Sequence, residues 1–328
     1  AMRKTLDDDG QIILLLNLRG FSPTLWCRAC GTAAKCPHCD ITLTWHKDRN
    51  VALCHSCDFH TDPITHCPTC GTGGVRYLGI GTQRLEQEVK QKFPGFRCLR
   101  MDSDAMRRPG AHDEALEAFR RGEVQILLGT QMIAKGLDFP NVTLVGVVNA
   151  DTSLHQPDLR ASERTFQLIS QVAGRTGRSS RGGRVYVQSA SPSEPAVLKA
   201  AEHDYLGFVE HEMQHRREMT APPFTRLVRV ILRGPIEAQV QEHAREMARI
   251  MRQAAKEMSE ESPETPAIRI LGPAPAPIAK LKKHYRYHFQ LSCEQAAPIQ
   301  RLWHTVSDQL PQSSDVEYAV DVDPINMK

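Results

Sequence analysis

ILLGTQMIAKGLDFPNV, residues 126–142, reads as the end of a buried strand, a glycine-containing loop and the start of the next strand. The apolar run from Ile126 to Leu128 gives way at once to Gly129-Thr130-Gln131, and Gly136-Leu137-Asp138 follows what reads as one helical turn. Backbone amides and the Thr130 hydroxyl in such a loop could hold a phosphate, and Asp138 could accept from a ribose hydroxyl. Loops that carry chemistry in a parallel sheet lie beyond the carboxyl ends of its strands, which is where this one stands.

Outward from this stretch, strand and helix patterns alternate. Apolar or alternating runs over 75–78, 96–101, 124–128, 142–148 and 184–188 read as strands, and amphipathic runs over 82–93, 112–121 and 162–173 read as helices. The continuous apolar run 12–16 near the start, GQIILLLNLRGFSP, has the pattern of a parallel strand buried on both faces. This alternation predicts an α/β lobe with a mostly parallel sheet. A second loop, QVAGRTGRSSRGGR at 171–184, sets Arg175, Arg178, Arg181 and Arg184 among glycines. Guanidinium forks between residues with little or no side chain let phosphate approach closely, although arginine and glycine also make solvated turns.

Into this pattern the chain inserts four Cys-x-x-Cys pairs: Cys27/Cys30, Cys36/Cys39, Cys54/Cys57 and Cys67/Cys70. They take eight of the ten cysteines, and Cys98 and Cys293 read as core positions. Eight thiolates suit two closed tetrahedral Zn²⁺ sites with no position left for substrate. Iron is the rival metal, since Cys67-Pro-x-Cys70-Gly71 would also suit it, but no redox partner site accompanies the cysteines. The segment ITLTWHKDRNVAL between Cys39 and Cys54 alternates about a polar turn and reads as a β-hairpin. That hairpin would bring the second and third pairs together, leaving the first and fourth to close another site around it. His38, His55 and His66 are then expected to face solvent. The module is too short to bury a useful core, so metal would supply most of its folding free energy, about 10 kcal/mol per zinc.

The chain has 328 residues, 41% hydrophobic and 24% charged, with a net charge of +3, too small to argue for nucleic acid by itself. Its start, AMRKTLDDDG, has no secretory pattern and no run spans a bilayer, so a reducing cytoplasm is the expected compartment. We expect a second RecA-like lobe from 1–26 and 71–190, the zinc insertion at 27–70, a linker helix within 191–223, and a smaller α+β domain at 224–328. In that last domain the predicted order β-α-β-β-α-β suggests a ferredoxin-like sheet, with the methionines of a long helix over 236–258 filling its core. Within it, KLKKHYRYHFQL alternates, with Tyr285, Tyr287, Phe289 and Leu291 on one face and Arg286 and His288 on the other. This is either a half-buried strand with a wet face or, with Lys280, Lys282, Lys283 and Arg286, an edge that tracks DNA phosphates.

GTQMIAKGLDFPNV and QVAGRTGR together resemble motifs V and VI of superfamily 2 helicases. The joining stretch DTSLHQPDLRASERTFQLISQVAGRTGR, the four Cys pairs after Asn17-x-Arg19-Gly20-Phe21, ILGPAPAPIAKL at 270–281 and VDVDP at 320–324 are similar to the replication restart helicases of that superfamily. The resemblance implies that Arg175 and Arg178 reach the ATP phosphates, with Arg178 as the arginine finger, and that Gln171 helps to position the γ-phosphate or the attacking water. It implies that Thr130 touches DNA phosphates, that Gly136 and Asp138 couple DNA to nucleotide, and that the zinc ligands pair in the nested order. It further implies 3′→5′ unwinding, action at stalled or abandoned forks, and partners that include forked and single-stranded DNA, single-stranded-DNA-binding protein and primosome proteins, with the chain itself a monomer. No Gly-x-x-x-x-Gly-Lys-[Ser/Thr] and no Asp-Glu-x-His occurs, so the groups that would hold ATP and Mg²⁺ are not in this sequence. The expectation is the C-terminal half of a helicase, inactive in ATP hydrolysis alone; the alternative is a stand-alone zinc-stabilised fork-binding module.

Overall fold

The computed structural model describes residues 1–16, 24–27, 29–30, 32, 34–38, 43–46, 50–54, 57, 59–73, 75–78, 82–102, 105–106, 108–130, 133, 139–150, 154, 158–174, 176 and 182–327. The first elements are α1 (Met2–Asp7), β1 (Gln11–Leu16), β2 (Thr24–Cys27), β3 (Thr44–His46), β4 (Val51–Leu53), β5 (His60–Thr61) and β6 (Val75–Leu78). Next come α2 (Thr82–Lys92), β7 (Cys98–Met101), α3 (Ala111–Arg120), β8 (Ile126–Gly129), β9 (Val142–Val148), α4 (Ala161–Ala173), β10 (Arg184–Val187), α5 (Pro195–Ala201) and α6 (Tyr205–Glu218). The chain ends with β11 (Arg226–Gly234), α7 (Glu237–Glu261), β12 (Arg269–Leu281), β13 (His284–Cys293), α8 (Ala296–Val306) and β14 (Glu317–Val322). These elements form two compact units, Ala1–Pro23 with Tyr77–His211, and Thr24–Arg76 with Glu212–Lys328. No helix among the described residues is long and apolar enough to cross a membrane.

In the first unit five parallel strands take the order β10-β9-β1-β8-β7. The apolar run of β1 explains its central place: all six of its residues are buried, as a strand covered on both faces requires. Ile12 and Leu14 point with Ile126, Leu128 and Leu144 toward Leu6 of α1 and Val89 of α2. Ile13 and Leu15 point the other way, with Leu127, Val145 and Val147, toward Phe119, Phe166 and Ile169 of α3 and α4. Each such side chain contributes about 1.5–3 kcal/mol by leaving water. The Gln11 amide donates to the carbonyl oxygens of Phe119 and Val124 (2.6 and 2.8 Å), tying the start of β1 to the turn after α3.

Two sequence expectations change here. The strand at 75–78 forms, but it joins the sheet of the Cys-rich module rather than that of the lobe. The stretch expected as one linker helix forms α5 and α6, and both dock: Ala196, Val197, Ala200 and Phe208 enter the lobe's core. Phe208 stacks on Phe166 with ring centroids 4.3 Å apart.

In the second unit the C-terminal domain is the expected ferredoxin-like sheet, antiparallel in the order β12-β13-β11-β14. Val228, Val230 and Leu232 of β11 and Tyr287, Phe289 and Leu291 of β13 share one core with Met247, Met251 and Met258 of α7 and Leu302 of α8. The methionines are therefore core filling, as expected. β12 runs from Arg269 to Leu281 although it contains Pro273, Pro275 and Pro277. Its place at the sheet edge leaves one side without hydrogen-bond partners to satisfy, which is where prolines are tolerated.

Candidate functional site

The Cys-rich module is built on a five-stranded sheet in the order β5-β4-β3-β2-β6. The hairpin expected between Cys39 and Cys54 is β3–β4, paired through Trp45↔Ala52 and turning through Asn50 at a left-handed φ of 50°. Three of the Cys-x-x-Cys turns close alike, with Cys27 N donating to Thr32 O, Cys54 N to Phe59 O and Cys67 N to Thr72 O at 2.8–2.9 Å. Each loop therefore presents its two sulfurs from one tight turn.

Cys27, Cys30, Cys67 and Cys70 converge, their four sulfurs all within 4.8 Å of one another. Across this site Cys27 Sγ lies 3.7 Å from Cys70 Sγ, and Cys30 Sγ 3.6 Å from Cys67 Sγ. A tetrahedral zinc with Zn–S bonds of about 2.3 Å requires sulfur–sulfur edges of about 3.8 Å, so the donor set fits this ion. The first and fourth pairs are thus joined. In the second cluster Cys36 Sγ and Cys57 Sγ lie 3.6 Å apart, and the fully buried Cys54 belongs to the same small core. Cys39 lies outside the described residues.

His38 departs from the expectation that it would face solvent. It is half-buried, its ring sits edge-on to Phe59 with centroids 5.0 Å apart, and one ring nitrogen lies within 4.8 Å of the Cys36 and Cys57 sulfurs. His66 is exposed, as expected, with Nδ1 3.1 Å from the Thr65 hydroxyl, and His55 lies outside the described residues.

In the first cluster Cys30 stays raised, the Thr32 hydroxyl pulling it down against burial and the Cys70 and Cys67 thiols, while other hydrogen bonds lower its neighbours. Those led by the Cys70 backbone N–H, acting against burial, pull the Cys67 thiol down to about 6. The Thr72 hydroxyl, with the Cys30 backbone next, lowers Cys27. A thiol lowered in this way gives up its proton more readily to become the thiolate, the form that ligates metal. Thr32 and Thr72 occupy equivalent places: Thr72 Oγ1 is 3.1 Å from Cys70 Sγ and 3.5 Å from Cys27 Sγ, and Thr32 Oγ1 is 3.0 Å from Cys30 Sγ. Neither threonine was singled out from the sequence. The available signal was the repeated Cys-x-x-Cys-Gly-Thr, once at 27–32 and again at 67–72.

In the lobe, Thr130 is half-buried directly beyond the carboxyl end of β8, and its carbonyl accepts from Ile133 N at 3.1 Å. Gly129 before it cannot be larger, since a Cβ there would stand 2.6 Å from the Met101 carbonyl oxygen. Met101 pairs with Gly129, so Asp102 leaves its strand beside Thr130. Asp102, also unremarked in the sequence, accepts from the Thr82 hydroxyl (2.5 Å), Ala105 N (2.9 Å) and the Arg100 guanidinium (2.9 Å), and so fixes the start of α2 to the carboxyl edge of the sheet. Gln171 is exposed in the last turn of α4. Gly136, Asp138, Arg175 and Arg178 lie outside the described residues.

The basic residues of the C-terminal hairpin do not form a row along an open edge. Lys280 Nζ donates to the Pro37 carbonyl at 3.3 Å and lies 4.8 Å above the Tyr285 ring. Lys282 and Lys283 are exposed in the turn between β12 and β13, and Lys283 N donates to the His38 carbonyl at 2.7 Å. Arg286 is half-buried, with Nη1 3.5 Å from the Ile278 carbonyl; burial and then Arg233 hold its guanidinium below the ordinary arginine range.

The parallel lobe, with a Cys-rich module spliced in after β1 that gathers four sulfurs at one point, defines the class: a helicase C-terminal lobe carrying a zinc-ribbon module. The helicase conserved C-terminal domain matches residues 77–180, the PriA DNA helicase Cys-rich region matches 36–61, and the primosomal protein N C-terminal domain matches 217–325. Over nearly its whole length the chain is similar to replication restart proteins named PriA. It is 40% identical over 330 residues to the replication restart protein PriA of Bacillus subtilis, covering 99% of this chain and 40% of the relative. PriA of Chlamydia pneumoniae is 37% identical over 317 residues, with 96% and 41% covered, and PriA of Treponema pallidum is 37% identical over 326 residues, with 99% and 48% covered. The chain therefore spans about two fifths to one half of the length of the curated relatives it matches.

Proposed function

We propose that this chain is the second motor lobe, zinc platform and C-terminal domain of an ATP-dependent 3′→5′ DNA helicase that engages stalled or abandoned replication forks and starts primosome assembly in the cytoplasm. Its partners are forked and single-stranded DNA, single-stranded-DNA-binding protein and primosome proteins, and it acts as a monomer. What carries this reading is one combination: the Gln171-to-Arg178 motif and the Cys-rich module occur together in a chain that aligns over nearly its whole length with replication restart proteins.

In this reading Thr130 and its neighbouring amides hold a DNA phosphate, and Gly136 and Asp138 pass that contact to the nucleotide. Gln171 orients water or the γ-phosphate, and Arg175 and Arg178 bring positive charge to it. ATP with Mg²⁺ is held by residues outside this sequence, and the chain alone does not hydrolyse ATP. Two zinc ions, on Cys27/Cys30/Cys67/Cys70 and on Cys36/Cys39/Cys54/Cys57, would supply rigidity and take no part in hydrolysis. The exposed ammonium groups of Lys282 and Lys283 are the proposed phosphate contacts of the C-terminal domain, since those of Lys280 and Arg286 face backbone carbonyls.

The test is Arg178→Ala in the full-length protein. An arginine finger is worth about 10³–10⁵ in rate. DNA-stimulated ATP turnover should fall to background while elemental analysis still finds two zincs per chain. Turnover near that of the parent would remove Arg178 from this role.

A further inference from the structure

The turn joining β12 to β13 is unusual for its sequence. Lys282 and Lys283 both adopt left-handed backbone angles, φ 50° and 67°, between the paired residues Leu281 and His284. Two-residue hairpin turns of this kind favour Asn-Gly or Asp-Gly, because a side chain at positive φ is strained. Strain of this sort persists only where the surroundings hold it. What holds this turn is the Pro37–His38 segment that follows Cys36.

Three contacts join them. Lys283 N donates to His38 O at 2.7 Å, and Lys280 Nζ donates to Pro37 O at 3.3 Å. Leu281 packs against the small core that contains Cys36 and Cys54. On the metal side, His38 N donates to Cys36 Sγ at 3.3 Å. The Pro37 carbonyl and the His38 N–H belong to one peptide group. An ammonium on that carbonyl polarises the peptide and strengthens the hydrogen bond its N–H gives to the thiolate. Outer partners of this kind orient metal ligands and tune their donor strength.

We propose that Lys280 and the 282–283 turn form a clamp on the Cys36–His38 segment, so that zinc held by Cys36 and the C-terminal hairpin stabilise each other. Lys280 is a positioning residue for the metal, acting through the Pro37–His38 peptide. The C-terminal domain thereby becomes part of the metal site's outer structure, although some 240 residues separate the two in sequence. The inference rests on the second zinc of the proposed function.

Two measurements on the full chain test it, after elemental analysis has fixed the zinc content. In the first, hydrogen exchange is compared before and after zinc is withdrawn with a chelator. Amides of residues 278–288 should exchange about tenfold faster without zinc, while the pairing of β11 with β14 keeps its protection. Hairpin exchange indifferent to zinc, or protection lost equally across β11 and β14, would overturn the clamp. In the second, zinc release to a colorimetric chelator is timed. Lys280→Met should release one of the two ions about tenfold faster, the lower end of what outer partners are worth, and Lys280→Arg, which keeps a donor, should restore slow release. Equal release from all three proteins would overturn the role of Lys280. A chain holding a single zinc would instead contradict the two-ion reading, which separates that failure from failure of the clamp.

Discussion

Arg229 Nε donates a hydrogen bond to His288 Nδ1 at 3.0 Å across the face of the C-terminal sheet opposite its helices. The guanidinium is completely buried, and among the described residues the His288 ring is the one acceptor its side chain meets, since Nη1 and Nη2 have none. The bond needs a neutral ring with its proton on Nε2. Burial first, then the charges of Arg229 and Arg286, hold His288 down to about 4. The unfolded chain takes up this proton near the ordinary histidine value of about 6.5, so stability contributed by the neutral ring is complete above that pH and is lost as pH falls toward 4. Unfolding in urea from pH 7 to pH 4 should show the parent losing stability faster than His288→Asn, which keeps an acceptor and does not titrate. His288→Leu, which leaves Arg229 buried without any acceptor, should be the least stable at neutral pH.

Thr72 makes a separate prediction for the first metal site. Its hydroxyl lies beside Cys27 Sγ and Cys70 Sγ and is the leading cause of the lowered Cys27 thiol. Thr72→Val keeps the shape of the side chain and removes the donor. Protons then compete for the thiolate at higher pH. The midpoint of zinc loss on acidification should therefore move upward, and Thr32→Val should act in the same direction. Zinc retention measured against pH in the parent and both variants checks this; an unchanged midpoint would mean that the hydroxyls only fill space.

The sequence made the lobe legible because its strands are buried on both faces, and a parallel strand of that kind, like 12–16, leaves an unbroken apolar run. The joining of the first and fourth cysteine pairs followed from one hairpin, since a hairpin that gathers the second and third pairs leaves these two for each other. Val75–Leu78 was misplaced because a four-residue strand carries no information about which sheet it joins. The docking of α5 and α6 was hidden by their flanks, SASPSEP and TAPPF, whose prolines read as a break whether or not the intervening helices pack. Lys280 read as part of a basic edge because a charge pattern gives side-chain type, whereas its partner at Pro37 is a carbonyl oxygen, which any residue supplies. His38 looked superfluous beside eight cysteines; its position is set by Phe59 packing and by backbone hydrogen bonds that its own identity does not reveal.

Gly129 offers the sharpest test of how the lobe holds the carboxyl end of β8. A Cβ there would come within 2.6 Å of the Met101 carbonyl oxygen and 2.9 Å of Ile133 Cγ2. The carbonyl belongs to the neighbouring strand, paired in register with Gly129, and cannot swing aside as a flexible side chain would. Gly129→Ala must therefore part β7 from β8 or push Ile133 out of the core, at about 1–3 kcal/mol, typical of overpacking. Either movement displaces Thr130 and loosens the neighbouring Asp102, whose bonds to Thr82 and Ala105 hold the carboxyl edge. Thermal unfolding should report the loss, and hydrogen exchange should show it centred on residues 101–106 and 126–133 while the first metal site keeps its zinc. Zinc lost in step with the lobe would instead show that the strain at Gly129 spreads beyond this edge of the sheet.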